Sequence, residues 1–174
     1  MFISVQDLEL RKLQFDTSFA PGQIDLLDGL QQDGDLQVRG NAELVDSLGE
    51  IRVGGHIEGS LKGECDRCLE PVRLPVQQDF DLVYQPDFES ESGEEIEIAT
   101  EDTEVGFYEG AGLELADIVR EQILLSLPLQ RLCSESCKGL CPECGQNRNI
   151  KDCQCRTAAS DERWAALKKI STGD

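Results

Sequence analysis

The chain has one histidine in 174 residues, 16 lysines and arginines against 35 aspartates and glutamates, and no apolar run long enough to cross a bilayer. Each scarcity excludes something. With His56 alone, no histidine nucleophile-and-base pair can be assembled, and GxSxG, a phosphate-cradling Gly-Lys-Ser/Thr and HExxH are all absent. His56 itself lies in GGHIEG, which reads as strand or turn, and a structural role suits it better than a ligand role. The shortage of cations gives a net charge of −19, which disfavours a direct grip on the phosphate backbone over most of the surface. Acidic pairs are numerous, but in acidic loops they are solvated charges rather than acid–base catalysts. The opening MFISVQDLELRKLQF lacks the basic start and apolar core of a secretory signal, so a reducing, cytoplasmic setting is expected.

What the chain does have is eight cysteines: Cys65 and Cys68 in CDRC, then Cys133, Cys137, Cys141, Cys144, Cys153 and Cys155 close together near the C-terminus. Eight thiolates make two complete tetrahedral zinc sites, and a Cys-x-x-Cys turn lets two sulfurs reach one ion at roughly 2.3 Å. In CPECG, Pro142 restrains the turn and Gly145 can adopt the left-handed conformation after the second ligand, which frees backbone amides to point at sulfur. Disulfides are the rival, but they do not suit a reducing compartment. Core-filling thiols are a second rival. The intervening Asp66, Arg67, Ser134, Glu135, Lys138, Glu143, Asn147, Lys151 and Asp152 are too polar for a buried apolar segment. A catalytic zinc would keep an open position and use His or carboxylate ligands.

The partition of the cysteines admits two solutions. Cys141, Cys144, Cys153 and Cys155 form a local loop that closes on one metal at small entropic cost, leaving Cys65, Cys68, Cys133 and Cys137 to join distant segments. Alternatively, the two Cys-x-x-Cys knuckles pair with each other as in a zinc ribbon. Loop closure favours the local partition.

The rest of the chain reads as α+β. Residues 1–20 are strand-like, and residues 21–34 form a turn-rich link. LQVRGNAELVDS, EIRVGGHIEGSLKGEC and EPVRLPVQQDFDLVYQ are three strands of an antiparallel, strongly bent sheet or partial barrel, with CDRC at the turn between the last two. Residues 86–111 read as an exposed acidic loop with one short strand. In LELADIVREQILLSLPLQ, Leu115, Ile118, Val119, Gln122, Ile123 and Ser126 share helical spacing and Pro128 marks the stop. A final short helix is expected in SDERWAALKKI, with Ser160 or Asp161 as N-cap and Trp164, Leu167 and Ile170 on one face. The chain is thus one domain, residues 1–174. An acidic β-rich body and main helix occupy residues 1–132, and a zinc-ribbon-like Cys-rich module with the last helix occupies residues 133–174.

Charge is uneven along it. Residues 79–121 carry fifteen acids against Arg120 alone, whereas from Cys133 onward seven cations meet six acids. An acidic surface suits a basic protein partner, and the candidate RNA contacts are confined to the tail: Lys138, Arg148, Lys151, Arg156, Lys168 and Lys169.

The order CDRCLEPV, an acidic stretch, ADIVREQILLSLPL, CSESCKGLCPECGQNRNIKDCQC and DERWAALKKI resembles the YceD family, the large ribosomal RNA subunit accumulation proteins, over most of the chain. The resemblance implies a non-enzymatic factor that supports 23S ribosomal RNA accumulation and large-subunit assembly. Its implied partners are a basic large-subunit protein or assembly factor and the 23S precursor, with no membrane and no small-molecule substrate. It also supports grouping Cys65 and Cys68 with Cys133 and Cys137, since some family members lack the CPxCG unit but keep the other pairs. A redox-responsive zinc adaptor or chaperone-like protein, whose thiolates oxidise and release metal, is the alternative from a different class.

Overall fold

Alternating apolar and polar residues between positions 36 and 86 become three antiparallel strands in the computed structural model, which describes residues 1–26, 29–45, 49–87 and 105–155. The described elements are β1 (Phe2–Ser4), α1 (Val5–Leu10), β2 (Leu13–Phe19), β3 (Gln31–Gln32), β4 (Leu36–Leu44), β5 (Ile51–Glu64), β6 (Pro71–Pro86), β7 (Val105–Tyr108), β8 (Gly112–Glu114) and α2 (Leu115–Ser126). The main sheet runs β2-β4-β5-β6-β7, with β3 beside β5, and β1 pairs with β8 in a separate ribbon. Among the described residues the main path is open, ending at β2 and β7.

Two features depart from the sequence reading. Residues 1–20 are not strand throughout, because α1 interrupts them and buries Leu8. Hydrogen bonds at both ends fix that turn: Val5 N donates to Ala111 O at 2.9 Å and Arg11 N to Asp7 O at 3.2 Å. Six residues are too few for a helical period to stand out against alternation. The sheet is also not wholly antiparallel, since β7 pairs parallel with the end of β6 through Val83↔Val105 to Pro86↔Tyr108. Of residues 86–111, expected to be an exposed acidic loop with one short strand, 88–104 lie outside the described residues and Val105–Tyr108 form β7; the final helix expected at residues 160–170 also lies outside them.

The centre of the sheet is a row of four residues in register across four strands: Phe15, Gly40, Gly55 and Phe80. A side chain at Gly40 would collide with the Gly54 carbonyl and lie 2.7 Å from the Phe15 ring; one at Gly55 would lie 2.8 Å from the Phe80 ring. Two buried phenyl rings therefore cover bare backbone, and the strand glycines serve packing. Around them Val38, Ala42, Ile51, Val53, Ile57 and Leu61 are fully buried. The polar face carries Arg52–Asp81 at 2.5 Å, Arg39–Glu58 at 3.8 Å and Lys12–Glu43 ion pairs. His56 Nδ1 lies 2.6 Å from Asp79 Oδ1 on that same face.

Helix α2 packs against β6 and β8, and its buried residues are Leu115, Ile118, Val119, Gln122 and Ile123, the face expected from spacing except for Ser126, which is exposed in the last turn. It ends at Ser126, with Leu127 as an extended cap before Pro128, because the residue preceding proline is pushed out of helical geometry. Strands β5 and β6 pair along their whole common length, from Ile51↔Tyr84 to Glu64↔Pro71. At about 3.4 Å per residue this hairpin is about 45 Å long, and CDRC is its tip. The end of α2 and the tip of the hairpin are thereby brought together.

Candidate metal centre

The hairpin tip folds as a knuckle, and the second Cys-x-x-Cys repeats it bond for bond. Leu69 N donates to Cys65 O at 2.9 Å and Cys65 N to Glu70 O at 2.8 Å; Gly145 N donates to Cys141 O at 2.9 Å and Cys141 N to Gln146 O at 2.9 Å. The residue after each second cysteine is left-handed, Leu69 at φ 61° and Gly145 at φ 72°. Glycine adopts that conformation freely, as expected for Gly145; leucine does not.

Cys65, Cys68, Cys133 and Cys137 form one cluster and Cys141, Cys144, Cys153 and Cys155 a second, with all four sulfurs of each within 4.8 Å of one another. The local partition is the one observed, and the pairing of the two knuckles with each other is not. Cys65 Sγ lies 3.9 Å from Cys137 Sγ, and Cys68 Sγ lies 3.6 Å from Cys133 Sγ. Four sulfurs at about 2.3 Å from a tetrahedral ion are about 3.8 Å apart, whereas disulfide sulfurs are separated by about 2.05 Å. All eight cysteines are free thiols. The donor set fits a tetrahedral metal, and each cluster already offers four sulfurs. His56 belongs to neither.

N–H groups point at the sulfurs. Cys133 N donates to Cys65 Sγ at 3.3 Å, and Asn149 Nδ2 donates to Cys137 Sγ at 3.2 Å. Burial pushes the Cys65 thiol up, but the backbone amides of Cys133, Arg67 and Cys68 outweigh it and bring it down to about 6. Cys141 is also brought down to about 6, first by the amides of Cys144 and Glu143. Each cluster holds an opposite member. The Glu70 amide pulls Cys68 down, yet burial and the neighbouring thiols push it up to about 12; Cys155 is pushed up to about 12 chiefly by Cys144 and burial. Four thiols so close cannot all shed protons without a cation among them. A bound dication would supply it.

The tail is fastened to the hairpin tip by more than sulfur. Asp66 N donates to Arg131 O at 2.8 Å, and Asp66 accepts from Arg131 N at 2.7 Å and from its guanidinium at 3.0 Å. The Asp66 carboxyl is held low, first by the Arg131 backbone amide. Arg67 donates to Cys137 O at 3.1 Å and accepts from Leu140 N at 2.9 Å, while Leu132 packs against Cys65, Cys68 and Cys137. Residues that read as polar spacers are thus fasteners. Asn147 goes further: though too polar for an apolar segment, it is buried, and it donates to Glu70 Oε1 at 3.2 Å. Cysteine spacing gives no signal for these contacts, which arise only when the two knuckles meet.

Of the candidate RNA contacts, Lys138, Arg148 and Lys151 are exposed on the Cys-rich module, and Lys138 pairs with Asp152 at 3.4 Å. Arg156, Lys168 and Lys169 lie outside the described residues. No helix among the described residues is long and apolar enough to cross a membrane.

Residues 53–171 match the family described as large ribosomal RNA subunit accumulation protein YceD. The chain is 33% identical over 160 residues to an uncharacterised protein of Mycobacterium tuberculosis, covering 89% of this chain and 72% of that one. It is 28% identical over 140 residues to the YlbN protein of Bacillus subtilis, covering 80% of this chain and 76% of that one. It is also similar to the chloroplastic large ribosomal RNA subunit accumulation protein YCED homolog 1 of Arabidopsis thaliana, 22% identical over 154 residues and covering 76% of this chain and 48% of that one. No solved structure matches the chain.

Proposed function

The chain belongs to the YceD family, and from that premise we propose that it is a zinc-stabilised, non-enzymatic factor supporting 23S ribosomal RNA accumulation and large-subunit assembly in the cytoplasm. The observation that carries the structural half is the joining of Cys65 and Cys68 at the hairpin tip with Cys133 and Cys137 after α2. Four thiolates around one ion leave no open position for substrate, which is the arrangement of a structural zinc. Zinc, rather than a harder cation, suits an all-sulfur tetrahedron. All eight cysteines serve as ligands, and the ribbon-like tail becomes a rigid extension of the β-rich body.

Partner binding then falls to the surface. In a chain of net charge −19 whose tail is close to neutral, the acidic body selects a basic protein of the large subunit or an assembly factor, and steers it electrostatically. The tail is the place for contacts with a 23S precursor, through Lys138, Arg148, Lys151, Arg156, Lys168 and Lys169. Depleting the protein in its host tests the reading: 23S RNA should fall relative to 16S, and unchanged 23S levels would overturn it. Capture of bound proteins before and after RNase separates protein docking from RNA contact.

One observation favours the redox reading as well. Cys133, Cys144 and Cys155 are exposed whereas Cys65, Cys68, Cys137 and Cys141 are buried, so each cluster presents sulfur to an oxidant. Mild peroxide should then release zinc. Full retention of metal and fold would remove this reading.

A further inference from the structure

The loop that belongs to the second cysteine cluster leans on the first. Asn149 lies between Cys144 and Cys153, both of the second cluster, yet its Nδ2 donates at 3.2 Å to the sulfur of Cys137, a member of the first. Its orientation is fixed at the other end, where Asn149 Oδ1 accepts from Lys138 N at 2.8 Å. Asn147 braces the same loop: its Oδ1 accepts from Asn149 N at 3.0 Å, and its Nδ2 reaches Glu70 beside the first knuckle. Arg148 N donates to Gly139 O at 2.9 Å, and Leu140 and Asn147 form a β-bridge. Asn147, Arg148 and Asn149, which lie between ligands of one site, are thereby bonded to the segment Cys137–Leu140 that carries a ligand of the other.

The choice of acceptor matters. A neutral thiol is a weak hydrogen-bond acceptor, but a thiolate is a charged one, and donors to metal-bound sulfur hold it in place and tune the metal. The Asn149–Cys137 bond therefore strengthens when Cys137 is ionised by a metal. Closing the loop on a second ion fixes the donor in advance, so the first site no longer meets the cost of ordering it. Linkage makes the effect mutual: a metal at the first site must favour metal at the second by the same factor.

We propose that Asn149 is a positioning residue that couples the two cysteine sites, so that metal at Cys141, Cys144, Cys153 and Cys155 raises the affinity of the site at Cys65, Cys68, Cys133 and Cys137. The inference rests on the reading that both clusters hold metal. Its consequence is ordered loading and loss of metal: the two sites fill together, and damage to the more exposed second site loosens the clamp between hairpin and helix.

The test uses the full chain loaded with cobalt(II), titrated with a chelator of known affinity and followed by the sulfur-to-cobalt charge-transfer band. Asn149→Ala should lower first-site affinity roughly tenfold, the low end of effects seen for groups that hydrogen-bond to ligands. It should also shift the charge-transfer band while two ions remain bound, which a purely structural role would not do. Asn149→Asp keeps the acceptor for Lys138 N and loses the donor to Cys137, so it should weaken the first site at least as much. Cys155→Ser should lower first-site affinity too, and adding Asn149→Ala to it should cost nothing more, because one contact is lost in both. Effects within twofold for both Asn149 variants, or fully additive effects in the double variant, would overturn the coupling. Fewer than two ions in the wild-type chain is a separate outcome, which removes the metal premise and the coupling with it.

Discussion

Asp66 and Arg131 hold each other by three hydrogen bonds, two of them between a backbone amide of one residue and an oxygen of the other, at 2.8, 2.7 and 3.0 Å. Asp66 lies between the first two cysteines and Arg131 two residues before the third, so this grip sets the distance across which Cys68 and Cys133 meet. Asp66→Ala should therefore weaken the first metal site by roughly 10–100-fold, the range for groups that orient ligands, and leave the sheet folded. Chelator competition measures it. Asp66→Asn retains an acceptor for the Arg131 amide and should fall between the two.

Single cysteine substitutions separate the sites. At saturating zinc, Cys144→Ser should leave one zinc per chain and unfold the tail locally, with the hairpin tip still held by the weakened but filled first site, whereas Cys68→Ser should leave one zinc and release the hairpin tip from the end of α2, since binding energy at such sites is folding energy. Elemental analysis at saturating zinc, with amide exchange in β5 and β6, distinguishes them. Two zinc ions retained by both variants would refute the assignment.

The two knuckles differ at one position that the backbone makes unfavourable. Leu69, 58% exposed, takes the left-handed conformation that Gly145 takes in the other knuckle. Leu69→Gly should relieve up to about 1 kcal/mol of backbone cost, partly offset by the greater freedom of the unfolded chain. Gly145→Leu should destabilise the tail by a similar amount. Thermal unfolding of the zinc-loaded protein reads both. A fall in stability for Leu69→Gly would mean that the leucine side chain makes a contact worth more than the strain.

Gly40 tests the packing of the sheet. Any side chain there meets the Gly54 carbonyl and the Phe15 ring. Gly40→Ala should destabilise the body by roughly 1–3 kcal/mol, as overpacking does, without altering zinc content. The urea midpoint and metal stoichiometry together check this, and Gly54→Ala, whose nearest neighbour would be 3.7 Å away, is the matched mild substitution.

The long-range features of this fold were legible wherever one residue type carried the signal. Strands β4 to β6 follow from alternation, α2 from the spacing of Leu115, Ile118, Val119 and Ile123 with Pro128 behind it, and the cysteine partition from loop closure. Helix α1 was not legible, because its hydrogen bond from Val5 to Ala111 comes from a part of the chain more than a hundred residues away. Parallel β7 was hidden for a related reason: four residues, of which only Tyr108 is buried, gain their place from the end of β6. Asp66, Asn147 and Asn149 carry no local signature at all. Their roles exist only once the knuckles face each other, and polar residues between cysteines read alike whether they face water or sulfur.

Tyr84 gives the fold a measurable alkaline limit. It stands at the end of β6 opposite Gly106 of β7, and its ring occupies the space where a Gly106 side chain would project. Burial, reinforced by the nearby Glu121 charge, pushes its phenol from 10.0 up to about 12. The native state thus binds this proton more tightly than the unfolded chain does. Its contribution to stability is complete below pH 10, declines as the unfolded phenol ionises, and is gone once pH passes about 12. Tyrosinate absorbance should accordingly show Tyr84 titrating late and together with loss of β-sheet signal. Tyr84→Phe should keep the sheet paired and remove that part of the pH dependence between 10 and 12. An unchanged alkaline transition in Tyr84→Phe would place its cause elsewhere in the sheet.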